Sequence, residues 1–152
     1  MMYNAIKLAA SVFKLRIGFA IMLTGLAGLA ITPGMAPSVA ETVLFAVAIL
    51  LSSASAGAFN QYVERDLDAR MKRTRNRPFV TGRFRADKYW LTLIYLMLLV
   101  SVLATSIVIN AMAALYVFLG AFTYGVVYTV WLKRRTWLNI VIGGLSGSFA
   151  VL

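Results

Sequence analysis

The spacing of charges is what most constrains this chain. Thr42 to Val63 is an uncharged run of 22 residues, and Tyr89 to Leu132 is a second of 44. At about 1.5 Å of rise per residue the first can cross a hydrocarbon core of roughly 30 Å as one helix, and the second is about twice that length. Ser106 and Asn110 give the longer run a place to turn, so it reads as two helices meeting near Asn110. A shorter apolar run, Ile17 to Thr32, extends back through Leu15 and stops before Pro33, Gly34 and Pro37. A last one, Trp137 to Leu152, adds 16 residues after Lys133, Arg134 and Arg135. The expected fold is an all-α integral membrane bundle in a single domain, 1–152. It has four complete spans at about 15–32, 42–63, 89–109 and 111–132, the start of a fifth over 137–152, and a polar loop over 64–88.

Fifteen Lys and Arg stand against five Asp and Glu, and there is no His and no Cys. Disulfides, thiolate metal sites and imidazole bases are therefore excluded. A net charge of +10 can suggest nucleic acid, but here the bases sit in blocks between apolar runs rather than over a solvated surface. Lipid headgroups or a phosphorylated substrate suit the charge better, and no nucleic-acid partner is expected. The blocks at 7–16, 64–88 and 133–135 alternate with turns that carry only Glu41, or no charge near Asn110. One alternating topology thus places every basic block on the cytoplasmic side, with a cytoplasmic N-terminus. A cleaved signal, with Ser38-Val39-Ala40 as its processing site, competes for the first run, but the alternation requires that span to be kept. Trp90, Trp131 and Trp137 then fall at the cytoplasmic interface. The small residues Ser52 to Ala58 imply close helix packing or, as the functional alternative, room for a substrate tail.

Residues 64–88 hold 13 of the 20 charges, nine basic and four acidic. No Gly or Pro lies between Asn60 and Pro78, so helix is expected to run unbroken from the second span through Asp68. On such a helix Asn60, Glu64 and Asp68 share one oxygen-bearing face, since each four-residue step drifts only about 40°. Asp66 lies about 160° from Glu64 and is expected to face Arg65, Arg70 or solvent. Two carboxylates and an amide suit Mg²⁺, which typically joins one or two carboxylates to substrate phosphates. Arg73 and Arg77 are candidate phosphate contacts. The plainer alternative is a solvated loop whose bases hold anionic lipid.

Asn60-x-x-x-Glu64-x-x-x-Asp68-x-x-Met71-x-Arg73-Thr74-x-x-Arg77-Pro78 resembles the first aspartate-rich motif of the UbiA superfamily of intramembrane prenyltransferases, with Glu64 where Asp is common. The tail from Met71 to Pro78 is similar to the haem-farnesylating branch in particular. Tyr128 to Thr136, followed by Asn139 to Gly144 and Gly147, resembles the segment entering the family's fifth helix. The resemblance implies the N-terminal half of a nine-helix bundle in a bacterial plasma membrane. It also implies Mg²⁺-dependent transfer of farnesyl from farnesyl diphosphate to a vinyl group of protohaem IX, giving haem O. Asn60, Glu64 and Asp68 would hold Mg²⁺ and diphosphate, with Arg73, Arg77 and Lys133 on the phosphates. A quinone precursor or a chlorophyll-like molecule is the alternative acceptor. The family's second aspartate-rich motif is not among these 152 residues, so the expectation is a portion of the enzyme that is inactive without its C-terminal half. Leu15 also stands where relatives often carry proline.

Overall fold

The computed structural model describes residues 2–34 and 37–152, and among these every regular element is helical. Residue 1, and residues 35 and 36 of the loop expected between the first two spans, lie outside the described residues. The helices are α1 (Met2–Val12), α2 (Leu15–Ile31), α3 (Val39–Val63), α4 (Arg65–Arg70), α5 (Lys88–Val108), α6 (Ala111–Phe122) and α7 (Asn139–Ser148). Between α6 and α7, Thr123–Leu132 continues α6 as a π-helix. Among the described residues three helical stretches are long and apolar enough to cross a membrane: α3 with 25 residues, α5 with 21, and α6 with its π continuation, 22. α2 is apolar but has 17 residues, at the lower limit for a crossing. α1 occupies the basic flank that precedes the first apolar run.

Local chemistry sets the helix starts. Ser38 accepts from the Glu41 amide while the Glu41 carboxylate accepts from the Ser38 amide, a reciprocal cap at the head of α3. Asp87 caps α5 through the Trp90 amide, and Asn110 caps α6 through the Ala113 amide at 2.7 Å. The asparagine of the polar interruption thus separates α5 from α6 and begins the latter.

α3 is the central element and packs against α2, α5, α6 and the π segment. Its buried face is Ser52, Ala54, Ser55, Ala56, Gly57 and Ala58, small enough for neighbouring backbones to approach closely. Ser101 of α5 is fully buried and donates to the Ala48 carbonyl at 2.6 Å. Large apolar residues face outward instead, among them Leu96, Val100, Leu103 and Ile107 of α5. A small, partly polar interior under an apolar exterior is the arrangement that lipid as solvent favours.

The loop after α4 folds back onto the α1–α2 junction. Phe79 and Phe84 meet Trp90 at ring-centroid distances of 5.0 and 5.2 Å, and Phe13 meets Trp90 at 6.3 Å. This aromatic cluster covers Val12, Ala58 and Ile94 at the end of the bundle that carries the 64–88 segment. Between α1 and α2, Lys14 has φ 48 and ψ 42, the left-handed conformation. A non-glycine residue there costs about 1–2 kcal/mol, so the surroundings must hold it. Gln61 does so in part, donating to the Ser11 carbonyl at 2.6 Å.

Candidate functional site

The expectation of unbroken helix through Asp68 is corrected by the structure. α3 ends at Val63, Glu64 takes φ −89 and ψ 6, and α4 restarts at Arg65. The cause is local: Arg65 donates to the Tyr62 carbonyl at 2.8 Å, taking the acceptor that the amide four residues ahead would use in a continuous helix. The four-residue bonds from Glu64 to Asn60 and from Asp68 to Glu64 survive at 3.0 and 2.8 Å. Asn60, Glu64 and Asp68 therefore still face one cavity across the bend.

That cavity encloses about 550 Å³ and is lined by Asn60, Glu64, Asp68, Arg73, Arg77 and Lys133, the six residues that the sequence points to. Glu64 is 1% exposed and accepts from Lys133 Nζ at 2.6 Å through Oε2, while its Oε1 is buried without a partner. Asp68 is 3% exposed and accepts from Arg77 Nη1 at 2.6 Å. The buried Asn60 donates to Thr129 Oγ1 at 3.1 Å and accepts from Lys14 Nζ at 2.5 Å. Arg73 reaches the wall from an exposed position. Among the described residues no three acidic side chains converge on a metal-sized point, so a cation here would draw on two carboxylates and an amide. The unpartnered Glu64 Oε1 is a buried hard-oxygen donor of the type Mg²⁺ takes, and the residues fit that ion.

Asp66 lies outside this wall. Its partner is Arg134, at 3.0 and 3.2 Å, rather than Arg65 or Arg70, because the bend at Glu64 turns α4 toward the 133–135 segment. Desolvation works upward on the Asp66 carboxyl, but Arg134 and the amides of Leu67 and Asp66 hold it below its usual value.

Sequence reasoning gave Lys14, Tyr124, Tyr128 and Thr129 no place at the site, although Tyr128 and Thr129 fall in the segment that resembles the family's. Lys14 was legible only as a flanking charge, yet it is half-buried and also donates to Tyr124 Oη at 2.8 Å. Removal from water lowers its ammonium to about 8; repulsion from Arg77 and Lys133 adds to this, and Glu64 and Asp68 oppose it. The rings of Tyr124 and Tyr128 stack at 5.3 Å, with Lys14 Nζ over one and Lys133 Nζ over the other. The i, i+4 tyrosines followed five residues later by lysine were the available signal.

A second, apolar cavity of about 320 Å³ runs between α2, α3, α6 and α7, with Ile21, Phe45, Ile49 and Tyr116 on its walls. Lys14, Ile17 and Tyr124 line both cavities, so they stand where polar and apolar spaces meet.

The fold and site thus define an apolar helical bundle in which a cation-rich, carboxylate-bearing cavity adjoins an apolar one. The chain belongs to the UbiA prenyltransferase family, whose profile matches residues 21–152. It is 58% identical over 147 residues to protoheme IX farnesyltransferase 2 of Paramagnetospirillum magneticum, covering 97% of this chain and 51% of that protein. It is 42% identical over 139 residues to protoheme IX farnesyltransferase 1 of the same organism, covering 91% and 48%. Against protoheme IX farnesyltransferase of Gluconacetobacter diazotrophicus it is 41% identical over 140 residues, covering 91% and 44%. The chain spans about half the length of the curated relatives it matches. No solved structure matches it.

Proposed function

We propose that the full-length protein is a Mg²⁺-dependent prenyltransferase of the bacterial plasma membrane, moving farnesyl from farnesyl diphosphate to a vinyl group of protohaem IX. The observation that carries the reading is the junction of the two cavities, polar on one side and apolar on the other, which suits a diphosphate on an isoprenoid tail. The acceptor is carried over from the names of the relatives.

Asn60, Glu64 and Asp68 would hold Mg²⁺, which supplies positive charge to a leaving diphosphate. Arg73, Arg77 and Lys133 bind phosphate oxygens, releasing the carboxylates with which Arg77 and Lys133 are paired. The apolar cavity takes the farnesyl chain, and the small α3 residues Ser52, Ser53, Ala56 and Gly57 leave it room. As the carbon–oxygen bond breaks, negative charge grows on the diphosphate inside a ring of fixed cations in a water-poor site, where such charges are most effective. The allylic carbon then bonds to the vinyl group, and water completes the hydroxyethylfarnesyl product. The 64–88 and 133–136 segments lie on the cytoplasmic side, as the alternation of basic blocks requires.

The test is to incubate membranes holding the full-length protein with farnesyl diphosphate and protohaem, and to measure haem O by chromatography and mass. Formation of haem O that stops on chelation of Mg²⁺ is expected. Mg²⁺-independent binding to anionic vesicles, with no binding of farnesyl diphosphate, would make the 64–88 segment a lipid-binding loop instead.

A further inference from the structure

The cations on the polar cavity are not equivalent. Arg77 and Lys133 face carboxylates, Asp68 and Glu64, at 2.6 Å each. Lys14 faces only neutral oxygens, Asn60 Oδ1 and Tyr124 Oη. Among the described residues no carboxylate lies within ion-pair distance of it. An ammonium has three donors, so one remains for a ligand. A half-buried charge with no counter-ion is costly, and an arriving anion relieves that cost.

Its placement is built rather than incidental. Lys14 holds the left-handed conformation at the α1–α2 break, which swings its side chain off both helices. Gln61 grips the end of α1 through the Ser11 carbonyl. Gly57 of α3 leaves the notch in which the lysine stem lies: a Cβ there would come within 3.3 Å of Lys14 Cβ and of the Phe13 carbonyl. The ammonium thus sits where the polar and apolar cavities meet.

We propose that Lys14 is a substrate-binding residue that grips the phosphate directly attached to the prenyl chain, setting the allylic carbon at the mouth of the apolar cavity. The inference rests on the prenyltransferase reading. A farnesyl chain in the apolar cavity and a terminal phosphate among Arg73, Arg77 and Lys133 leave the inner phosphate at the neck that Lys14 lines. Its role differs from that of the other cations. They receive the distal charge, whereas Lys14 fixes how far the molecule threads in.

The experiment uses detergent-solubilised full-length protein and measures binding of farnesyl diphosphate, farnesyl monophosphate and farnesol. Lys14→Met should weaken both phosphorylated ligands by about tenfold or more, the loss typical of a charged hydrogen bond, and spare farnesol. Lys14→Arg, which keeps the cation, should recover part of the loss. Gly57→Ala displaces the lysine without removing it and should reproduce the pattern more weakly, so the inference stays testable if Lys14→Met does not fold. Wild-type affinity of Lys14→Met for both phosphorylated ligands overturns the inference, as does an equal loss for farnesol, which would mark a structural role. Failure of the wild type itself to bind farnesyl diphosphate is a different result, and it removes the prenyltransferase reading underneath.

Discussion

At the scale of single residues, the three carboxylates between 64 and 68 divide sharply. Glu64 and Asp68 are buried on the polar cavity, each with an ion-pair partner, whereas Asp66 is exposed and bound to an exposed Arg134. Glu64→Gln and Asp68→Asn keep side-chain size while removing a charged oxygen, and each should lower kcat/KM of the full-length enzyme by about a hundredfold or more. Asp66→Asn removes only a solvent-screened pair and should change kcat/KM by no more than a few-fold. Steady-state kinetics on the three variants at matched expression decides it, and an Asp66→Asn enzyme as inactive as the others would refute the division. The oxygen-bearing face was legible because the four-residue spacing of Asn60, Glu64 and Asp68 survives the bend. The bend was not, since it depends on Arg65 reaching back to a carbonyl, and no residue in the stretch is a helix breaker. Lys14 was invisible for a similar reason: a left-handed lysine has no sequence signature, and its neighbours are 46 and 110 positions away.

At the scale of elements, the π segment Thr123–Leu132 aims the far wall of the site. Its wider turn gives five-residue backbone bonds, seen where the Lys133 amide donates to the Tyr128 carbonyl at 3.0 Å. Such turns are rare and frequently mark functional sites. The alternation of charged and uncharged runs revealed the long helices and the cap at Asn110. It could not reveal π geometry, because both helix types accept the same apolar residues. Deleting Val126, which is 39% exposed, shortens the segment by one residue and changes the angular position of the residues downstream. Lys133 then turns away from Glu64, leaving a buried carboxylate without its partner. The deletion variant of the full-length protein should keep its helical circular dichroism and bind farnesyl diphosphate at least about tenfold more weakly, as Lys133→Met should. Wild-type affinity in the deletion variant would show that the π geometry does not aim Lys133.

At the scale of the whole molecule, orientation in the membrane decides whether the polar cavity meets a cytoplasmic pool of diphosphate. Every basic block, at 7–16, 64–88 and 133–135, belongs to one end of the bundle, where the lysines and arginines of the site and the aromatic cluster around Trp90 also lie. The opposite end carries only Glu41, locked in its cap on Ser38, and the uncharged turn at Asn110. Cytoplasmic retention of bases acts on short loops close to the spans, and all three blocks meet that condition. These 152 residues contain no cysteine, so single cysteines placed in them report without background once any elsewhere in the full-length protein are replaced. Thr74 is an unsuitable probe because it is buried and donates to the Asp68 carbonyl at 3.0 Å, and Ser38 is unsuitable because its hydroxyl caps α3. Ala40 and Arg75 are exposed and take no part in either contact. An impermeant maleimide added outside intact spheroplasts should label Ala40→Cys and not Arg75→Cys, with the pattern reversed in inside-out vesicles. Labelling of Arg75→Cys from outside would place the polar cavity's end of the bundle away from the cytoplasm, and the proposal of a cytoplasmic prenyl donor would fall with it.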